Sequence, residues 1–459
     1  MAYNIAIIGG GPGGYVAAIR AAQLGAKVAV VEKADLGGTC LNWGCIPTKA
    51  LVAGTETLHM VKKSEEFGIS ADNPTVNFAA MMERKNQVVQ RLVKGINYLF
   101  KKNKIVLYEG IGMLASVNRI EVMKNDGTAE KIEAENIIIA TGSEPALITS
   151  LGYDGDRVIT SNEALSLTEI PRSLLIIGGG VIGCEFACIF AELGCDITIV
   201  DVMPAILPGI EEEASKLMQS LFKRRKIKVI TSAKIAEVRK DSGSVTAVLD
   251  SGEELAAEKV LISIGRTFNT EGLGLRELGI EQGPKNEITV NSRMQTNIPN
   301  IYAIGDITNK IQLAHVASAQ GITAVENIMG RQKEMNYDVV PNCIFTAPEI
   351  AGVGITSRQA REQGINISSG KFPFMALGKA QASGKTDGFV KILADVKTDR
   401  ILGVHIVGPH ATDLIAEAAL AVRLGATSEQ LAETIHAHPT LAEAMMEAAE
   451  AVHGKSIHT

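Results

Sequence analysis

Two stretches of this chain carry the same glycine code at a fixed step. Gly9, Gly11 and Gly14 form a Gly-x-Gly-x-x-Gly run, and Gly178, Gly180 and Gly183 form another. From Gly9 to Gly178, from Gly25 to Gly194 and from Glu32 to Asp201 the step is 169 residues each time. A repeat that keeps strand, glycine turn, helix, second strand and terminal acid in step is a repeated supersecondary unit. Each copy reads as a dinucleotide-binding fold. The glycines let the backbone approach a pyrophosphate. The helix N-terminus offers free N–H groups and a partial positive charge, and the acid accepts hydrogen bonds from a ribose. Two such folds imply two bound nucleotides, and so electron transfer between cofactors rather than a simple dehydrogenase.

In the first copy Ile5 to Ile8 is an apolar strand, Tyr15 to Leu24 a helix closed by Gly25, and Lys27 to Val31 the second strand, ending at Glu32. In the second, Leu174 to Ile177 precedes the glycines, and Ile197 to Val200 ends at Asp201. A carboxylate at Asp201 accepts a ribose 2′-hydroxyl and repels a 2′-phosphate. No arginine follows it in Val202-Met203-Pro204. The second nucleotide therefore reads as NAD rather than NADP.

Between the two copies lies Leu36-Gly-Gly-Thr-Cys40-Leu-Asn-Trp-Gly-Cys45-Ile-Pro-Thr-Lys49. Residues five apart on a regular helix point away from each other, while a disulfide needs Cα atoms roughly 4.4–6.8 Å apart. A bond between Cys40 and Cys45 requires a distorted turn around Gly44. Metal sites more often use Cys-x-x-Cys with a second ligand pair, and none is present. Two buried cysteines acting as small hydrophobes are the plain alternative. Cys184, Cys188, Cys195 and Cys343 carry no partner motif and read as structural.

The rest of the chain supplies strand tips and helices. Residues 56–103 read as helices, with Val88, Leu92, Ile96 and Leu99 as one apolar stripe facing the core. Ile105 to Glu133 reads as short strands with a turn at Asn125-Asp126-Gly127, and Asn136 to Ala140 as a strand ending in Thr141-Gly142-Ser143. Residues 227–264 alternate like sheet, ending near Gly265. Ile301 to Ile304 is a strand closed by Gly305-Asp306, which is either an Asp turn or a carboxylate at a strand tip. Residues 307–330, with Ala314, read as a helix. From about 341, strands at Cys343–Phe345, Gly388–Leu393 and Gly403–Val407 accompany alanine-rich helices at 412–424 and 428–436. Thr427-x-x-Gln430 is a capping box for the latter.

Near the end, His436-Ala-His438-Pro439-Thr440-Leu-Ala-Glu443 pairs a histidine held by a following proline with an acid. Glu443 fits two roles. It completes the capping box Thr440-x-x-Glu443, and it can orient the imidazole of His438 as a base. A dithiol exchanger needs such a base, because the thiolate is the nucleophile.

Bulk properties narrow the partners. A chain of 459 residues exceeds one core and implies two to four domains. A net charge of −6 gives no basic footprint for nucleic acid, and no apolar run is long enough for a bilayer. With Ile5–Ile8 read as a strand directly after Met-Ala-Tyr-Asn, no signal or transit segment is expected. Six cysteines at this length do not form a secreted disulfide framework, so a reducing, cytoplasmic location is expected, where a disulfide is catalytic.

These motifs together resemble the flavin-dependent pyridine nucleotide–disulfide oxidoreductases over essentially the whole chain. Within that family the chain is most similar to the branch that oxidises dihydrolipoamide. The resemblance implies an α/β protein with two Rossmann-like dinucleotide-binding domains plus a C-terminal α+β dimerisation domain. The expected boundaries are 1–145 for FAD, 146–270 for NAD, 271–340 completing the FAD domain, and 341–459 for the interface. It implies FAD on the first fold, with Glu32 at the adenosine ribose and Asp306 at the ribityl side. Gly112, Thr141, Gly142, Ser143 and Ala314 are also expected to line it. Lys49 is expected near the flavin ring, paired with Glu185, and NAD near Gly265. Cys40 is implied to exchange with substrate and Cys45 to face the flavin, in a redox disulfide. His438, held by Glu443, is the implied base, supplied by the other subunit of a homodimer, with a cis peptide at Pro439. The implied partners are lipoyl domains of 2-oxo acid dehydrogenase or glycine cleavage complexes. Glutathione reductase, another disulfide reductase of the family, or a non-catalytic structural subunit are the alternatives.

Overall fold

The computed structural model describes residues 2–459 apart from 125 and 242. Asn125, the first residue of the turn expected at Asn125-Asp126-Gly127, lies outside the described residues. The chain divides into two compact units. One comprises Met1–Leu147, Thr160–Glu169 and Gly265–Asn336; the other Ile148–Ile159, Ile170–Ile264 and Tyr337–Thr459. Both are mixed α/β.

The first unit is built on one sheet. Strands Val106–Glu109, Val28–Glu32, Tyr3–Ile8, Ala129–Ile139 and Ile301–Ala303 run parallel. Their residues are apolar on both faces, as helix-covered parallel strands require: Ile5, Ile7, Val30, Ile137 and Ile138 have no exposed surface or next to none. Ala129–Ile139 does two jobs. Its first half pairs antiparallel with Arg119–Met123, from Met123↔Ala129 to Arg119↔Glu133. Its second half pairs parallel with the first strand, from Tyr3↔Ala134 to Ile8↔Ile139. The consequence matters for function. Gly9, Glu32, Ala140 and Ile304 all emerge at the carboxyl edge of one sheet, where open α/β folds bind ligands.

The second unit contains the repeat and the C-terminal region. Lys228–Ile230, Asp196–Val200, Ser173–Ile177, Lys259–Ile262 and Val158–Ile159 form a parallel sheet in that order. A second sheet is antiparallel, in the order Asn342–Ile344, Glu349–Gly354, Ile401–Gly408, Phe389–Asp395, Ile367–Pro373. Helices Ala411–Leu424 and Glu443–Val452 cover it, and Phe372, Phe374, Val390, Ile392, Val404, Ile415 and Met445 form its core.

Three expected elements differ. The helix expected over 307–330 spans Ala314–Ile328, after a short separate turn at Asp306–Thr308. In the helix Phe78–Lys102 the buried face runs through Phe78, Met82, Lys85, Ile96 and Phe100, while Leu92 is exposed. The stripe slips because Lys85 lies inside, its ammonium donating to the Leu165 carbonyl. The helix expected over 428–436 stops at Ala432. Thr434 ends it by turning its hydroxyl back to the Gln430 carbonyl, 2.8 Å away. The segment after it carries both histidines in irregular backbone.

Among the described residues no helix is long and apolar enough to cross a membrane.

Candidate active site

The dithiol sits where the chain breaks between two helices. Gly38–Asn42 ends, Trp43 and Gly44 link, and Cys45–Lys62 begins. Gly44 has φ −147° and ψ −111°, and a Cβ there would lie 3.0 Å from the Thr39 carbonyl oxygen. A side chain at Gly44 would crowd this approach, which brings Cys45 back to Cys40. The Cys40 and Cys45 side chains lie within hydrogen-bonding reach of each other. Hydrogen bonding to Cys45, followed by burial, pushes the Cys40 thiol well up, against the opposing charge of Lys49. Cys45 is the more exposed of the two and opens an 18-residue helix whose N-terminus has no side-chain cap.

The break is tied to the first glycine turn. Gly37 donates to the Gly10 carbonyl at 2.8 Å, and a Cβ on Gly38 would lie 2.7 Å from Gly11 Cα. Asn42 closes the loop by donating to the carbonyls of Leu36 and Gly38 at 3.2 and 3.0 Å.

Around that turn the residues fit a dinucleotide. The helix Pro12–Gln23 is capped by Gly11 with no side-chain bond, leaving its first N–H groups without side-chain acceptors. Gly14 approaches the Gly9 carbonyl so closely that a Cβ would stand 1.9 Å from it. Glu32 accepts from Gly10 N–H at 2.6 Å and Ala34 N–H at 2.9 Å, one on each oxygen, with lone pairs left for a ribose. Gly112 packs beneath, its Cβ position 3.1 Å from Val31 and 3.2 Å from Ile8. Gly142 has φ +69° and open space around it. Ala314 opens the helix Ala314–Ile328, again without a side-chain cap.

A polar network joins the strand tips. Ser143 Oγ donates to Asp306, and Gly305 N–H is held by the buried Gln320 at 2.6 Å. Thr141 Oγ1 donates to the Asn269 carbonyl at 2.8 Å, and Asn269 Nδ2 returns a bond to the Thr141 carbonyl at 2.9 Å. Arg266 donates from Nε to Ser143 Oγ at 2.7 Å and from Nη2 to the Ser143 carbonyl at 2.6 Å. Sequence reading missed Arg266 and Asn269. The available signal was two polar side chains bracketing a short strand just after Gly265, which itself has φ +128° and open space.

The second glycine turn repeats the first. Gly180 caps Val181–Glu192 without a side-chain bond and has nothing near its Cβ position. A Cβ on Gly183 would stand 2.0 Å from the Gly178 carbonyl. Asp201 accepts from Gly179 N–H at 2.5 Å and Met203 N–H at 2.7 Å. This site too fits a dinucleotide. Glu185 is buried on that helix, with Oε1 accepting Phe345 N–H at 2.9 Å.

His438 and Glu443 meet directly, Nδ1 to Oε1 at 2.8 Å. The other oxygen of Glu443 accepts Thr440 N–H at 2.8 Å. The expected capping box is not formed, because the helix starts at Glu443 with Ala442 at its N-cap and Thr440 Oγ1 donates to the Ala437 carbonyl at 2.7 Å. Burial raises the Glu443 carboxyl, but Thr440 N–H and His438 outweigh it and hold it below the ordinary range. The His438–Pro439 peptide is cis. His436 does a different job. It is enclosed, and its Nε2 reaches Glu417 at 2.9 Å, anchoring the loop. The His438 side chain is 77% exposed, beside Ile435 at 95%.

Comparison with known proteins agrees with this layout. The family model described as pyridine nucleotide-disulphide oxidoreductase matches residues 3–321, and the model of that family's dimerisation domain matches 340–449. The chain is 46% identical to the dihydrolipoyl dehydrogenase of Bacillus subtilis over 99% of both chains. It is 44% identical to that of Chlamydia trachomatis, over 98% of this chain and 96% of the relative. Among solved structures, LpdA from Mycobacterium tuberculosis superposes with a TM-score of 0.92 at 29% identity, covering 97% of this chain and 98% of that one. The HOCl-induced flavoprotein disulfide reductase RclA from Escherichia coli gives 0.89 at 27%, covering 98% and 99%. The chain belongs to the pyridine nucleotide-disulphide oxidoreductases, and within them to the dihydrolipoyl dehydrogenases.

Proposed function

We propose that this chain oxidises protein-bound dihydrolipoamide to lipoamide and passes the two electrons to NAD, through a Cys40–Cys45 disulfide and FAD. The observation that carries this reading is the close Cys40–Cys45 pair, tied to the first glycine turn by the Gly37 to Gly10 bond. Glu32 and Asp306 hold the FAD ribose and ribityl hydroxyls. Lys49 stands by its ring, and Asp201 holds the NAD ribose. When bound, FAD supplies the two-electron relay between the dithiol and NAD.

The protein's own steps balance. His438 takes a proton from one substrate thiol. The resulting thiolate attacks Cys40 Sγ, the Cys40–Cys45 bond breaks, and Cys45 leaves as thiolate. The second substrate thiol then attacks its neighbour's sulfur, closing lipoamide and releasing Cys40 as a thiol. Two electrons have entered the cysteine pair; one proton stays on Cys40 and one on His438. Glu443 fixes the imidazole so that Nε2 faces the substrate.

An exposed base beside an exposed Ile435 in a dimerisation domain supports a homodimer in which His438 serves the other subunit's dithiol. The partners are lipoyl domains of 2-oxo acid dehydrogenase or glycine cleavage complexes, in the reducing cytoplasm.

Steady-state assays test this. The wild type reduces NAD with dihydrolipoamide, and Cys40→Ser loses at least roughly 1,000-fold in kcat, as removal of a nucleophile does. Reduction of glutathione disulfide with NADPH, without dihydrolipoamide turnover, would overturn the reading.

A further inference from the structure

Past its acid, each glycine unit repeats one more feature. In the first, the chain comes back after Glu32 and lays Leu36 over Gly10, so that a Cβ on Gly10 would stand 2.6 Å from Leu36 Cδ2. Gly37 N–H then donates to the Gly10 carbonyl at 2.8 Å, from a backbone with φ +100°. In the second, the chain comes back after Asp201 and lays Ile206 over Gly179, whose Cβ position is 2.8 Å from Ile206 Cγ2. Leu207 N–H donates to the Gly179 carbonyl, again at 2.8 Å and again from positive φ, here +51°. Where the first return turn uses glycine, the second uses leucine.

Left-handed backbone is uncommon outside glycine and persists only where the surroundings impose it. Here they do. The side chains of Ile206 and Leu207 are buried. The carbonyls of three successive residues are each held: Ile206 by Ser215 Oγ at 2.6 Å, Leu207 by Ile210 N–H at 3.2 Å, and Pro208 by Arg358 Nη2 at 2.9 Å.

Both peptide groups of Gly179 are thereby engaged, its N–H by Asp201 at 2.5 Å and its carbonyl by Leu207. The Gly179 carbonyl and the Gly180 N–H belong to one trans peptide plane and point opposite ways. A bond from Leu207 to the carbonyl therefore also fixes the direction of the Gly180 N–H. Gly180 caps the helix Val181–Glu192 and has nothing near its own Cβ position. A pyrophosphate meets a glycine turn at this point.

We propose that Leu207 is a positioning residue of the second nucleotide site, whose left-handed backbone aims its N–H at the Gly179 carbonyl and so pre-sets the Gly179–Gly180 peptide for the NAD pyrophosphate. The proposal rests on the reading of the second fold as the NAD site, and it adds the group that orients that site's donor. The backbone of Leu207 does the positioning; its side chain serves packing.

The test separates the two. Leu207→Gly discards the side chain and keeps positive φ without steric cost. Leu207→Val keeps most of the apolar volume, but a β-branched residue is an outlier at positive φ, so its N–H leaves the Gly179 carbonyl. Calorimetric titration of NAD into the oxidised, flavin-containing enzyme measures binding without turnover, and kinetics with dihydrolipoamide give KM and kcat. Leu207→Val is expected to weaken NAD binding about tenfold, the size of one net hydrogen bond. Its KM for NAD rises about as much while kcat stays within about twofold, the pattern of a lost binding interaction. Leu207→Gly is expected to bind NAD within about twofold of wild type, although its urea midpoint falls with the lost packing. A packing role predicts the reverse order. Leu207→Gly binding as weakly as Leu207→Val or more weakly, equal binding by both variants and wild type, or Leu207→Gly failing to fold where Leu207→Val folds, would each overturn the proposal. If Leu207→Val does not fold, Leu207→Ala replaces it, because it too loses the side chain but resists positive φ: weaker binding than Leu207→Gly supports the proposal, and equal binding refutes it. A wild type that neither binds NAD nor reduces it refutes the reading of the second fold, and this inference with it. Normal binding by the wild type, with the variants in the wrong order, refutes only the inference.

Discussion

The two glycine helices, Pro12–Gln23 and Val181–Glu192, are built alike at the front and fastened differently at the back. Each has 12 residues and a glycine cap in extended backbone, with φ −70° at Gly11 and −75° at Gly180. In each, the terminal acid of the next strand accepts the second glycine's N–H: Glu32 from Gly10, Asp201 from Gly179. Behind the first helix, Gly13 and Ala17 meet Gly321 so tightly that a Cβ on Gly321 would lie 2.6 Å from the Gly13 carbonyl. Behind the second are large side chains, with Phe186 and Phe190 stacked at 6.1 Å. The chain also leaves the two acids differently. After Glu32 it turns through Gly37 and Gly38 into the dithiol. After Asp201 it runs to Glu211, Glu212 and Glu213, which meet Lys391, Arg361 and Lys371 in an ionic seam. The glycine–acid code therefore specifies a cradle and leaves open how that cradle is supported and what chemistry is set next to it.

The sharpest way to break the likeness is to put a methyl group into each cradle. Gly14→Ala and Gly183→Ala both drive a Cβ to about 2 Å from a carbonyl oxygen. The overpacking costs on the order of 3 kcal/mol locally. Gly14→Ala is expected to purify without flavin. Gly183→Ala is expected to purify yellow and to lose about 100-fold in NAD reduction, equivalent to roughly 2.7 kcal/mol. The flavin-to-protein absorbance ratio and steady-state kinetics read the two outcomes. Loss of flavin from both variants would mean that the folds do not divide the two nucleotides.

The next contrast is between packing and charge. Lys391 is 8% exposed and donates to Glu211 at 2.8 Å, Glu213 at 2.6 Å and Ser357 Oγ at 3.0 Å. Glu211, 1% exposed, also accepts Ser357 N–H at 2.8 Å. Lys391→Met leaves that carboxylate buried without its cation and costs about 3–5 kcal/mol. Urea unfolding followed by limited proteolysis should show the second unit opening first, with flavin still bound. If flavin leaves at the same urea concentration, the seam stabilises more than its own unit.

Acid should weaken the same seam in two steps. Burial holds the His405 imidazole below its ordinary 6.5. For Glu211, burial raises the carboxyl, but Lys391 and Ser357 outweigh it and hold it below 4.5; Glu213 is held down by Lys371 and Lys391 against its own burial. A histidine kept neutral contributes stability above its unfolded value, lost as pH falls through the folded one. A depressed carboxylate does likewise lower on the scale. The second unit should therefore begin to lose stability below about pH 6.5 and lose it more steeply below about pH 4.5. His405→Gln should remove the first step and keep the second. A single step near 4.5 in the wild type would show that His405 does not titrate on folding.

Much of the site could be read before the fold because its signals are local. The glycine turns, the acids at Glu32 and Asp201, the Cys40–Cys45 pair with a distorted Gly44, and the His438–Glu443 pair all lie within short windows. What could not be read depends on distant partners. Arg266 reaches Ser143 across 123 residues, and Lys391 reaches Glu211 across 180. A lysine in a strand reads as a solvated position until its carboxylate partner is known. Lys85 misled for the same reason: it lies on the buried face of its helix because the Leu165 carbonyl receives its ammonium. The apolar stripe read along Leu92 was therefore displaced.

The smallest expected effect tests whether charge also matters behind the first helix. Arg20 Nη2 meets Glu326 Oε1 at 2.7 Å, joining that helix to Ala314–Ile328. Here the carboxylate has other cations: Lys333 at 3.4 Å and Arg331 at 3.9 Å. Arg20→Ala therefore leaves no unmatched charge, unlike Lys391→Met, and Gly13 and Gly321 still hold the helices together. The expected loss is about 0.5–1 kcal/mol, the range of partly exposed ion pairs. Raising the salt from about 0.05 to 0.5 M should shrink the gap between wild type and Arg20→Ala, but not that between wild type and Lys391→Met, because buried pairs are poorly screened. Urea midpoints at both salt concentrations measure this. A loss above about 2 kcal/mol in Arg20→Ala would exceed the range of such pairs. The first helix would then be held by charge rather than by close-packed backbones, and the contrast between the two folds would fail.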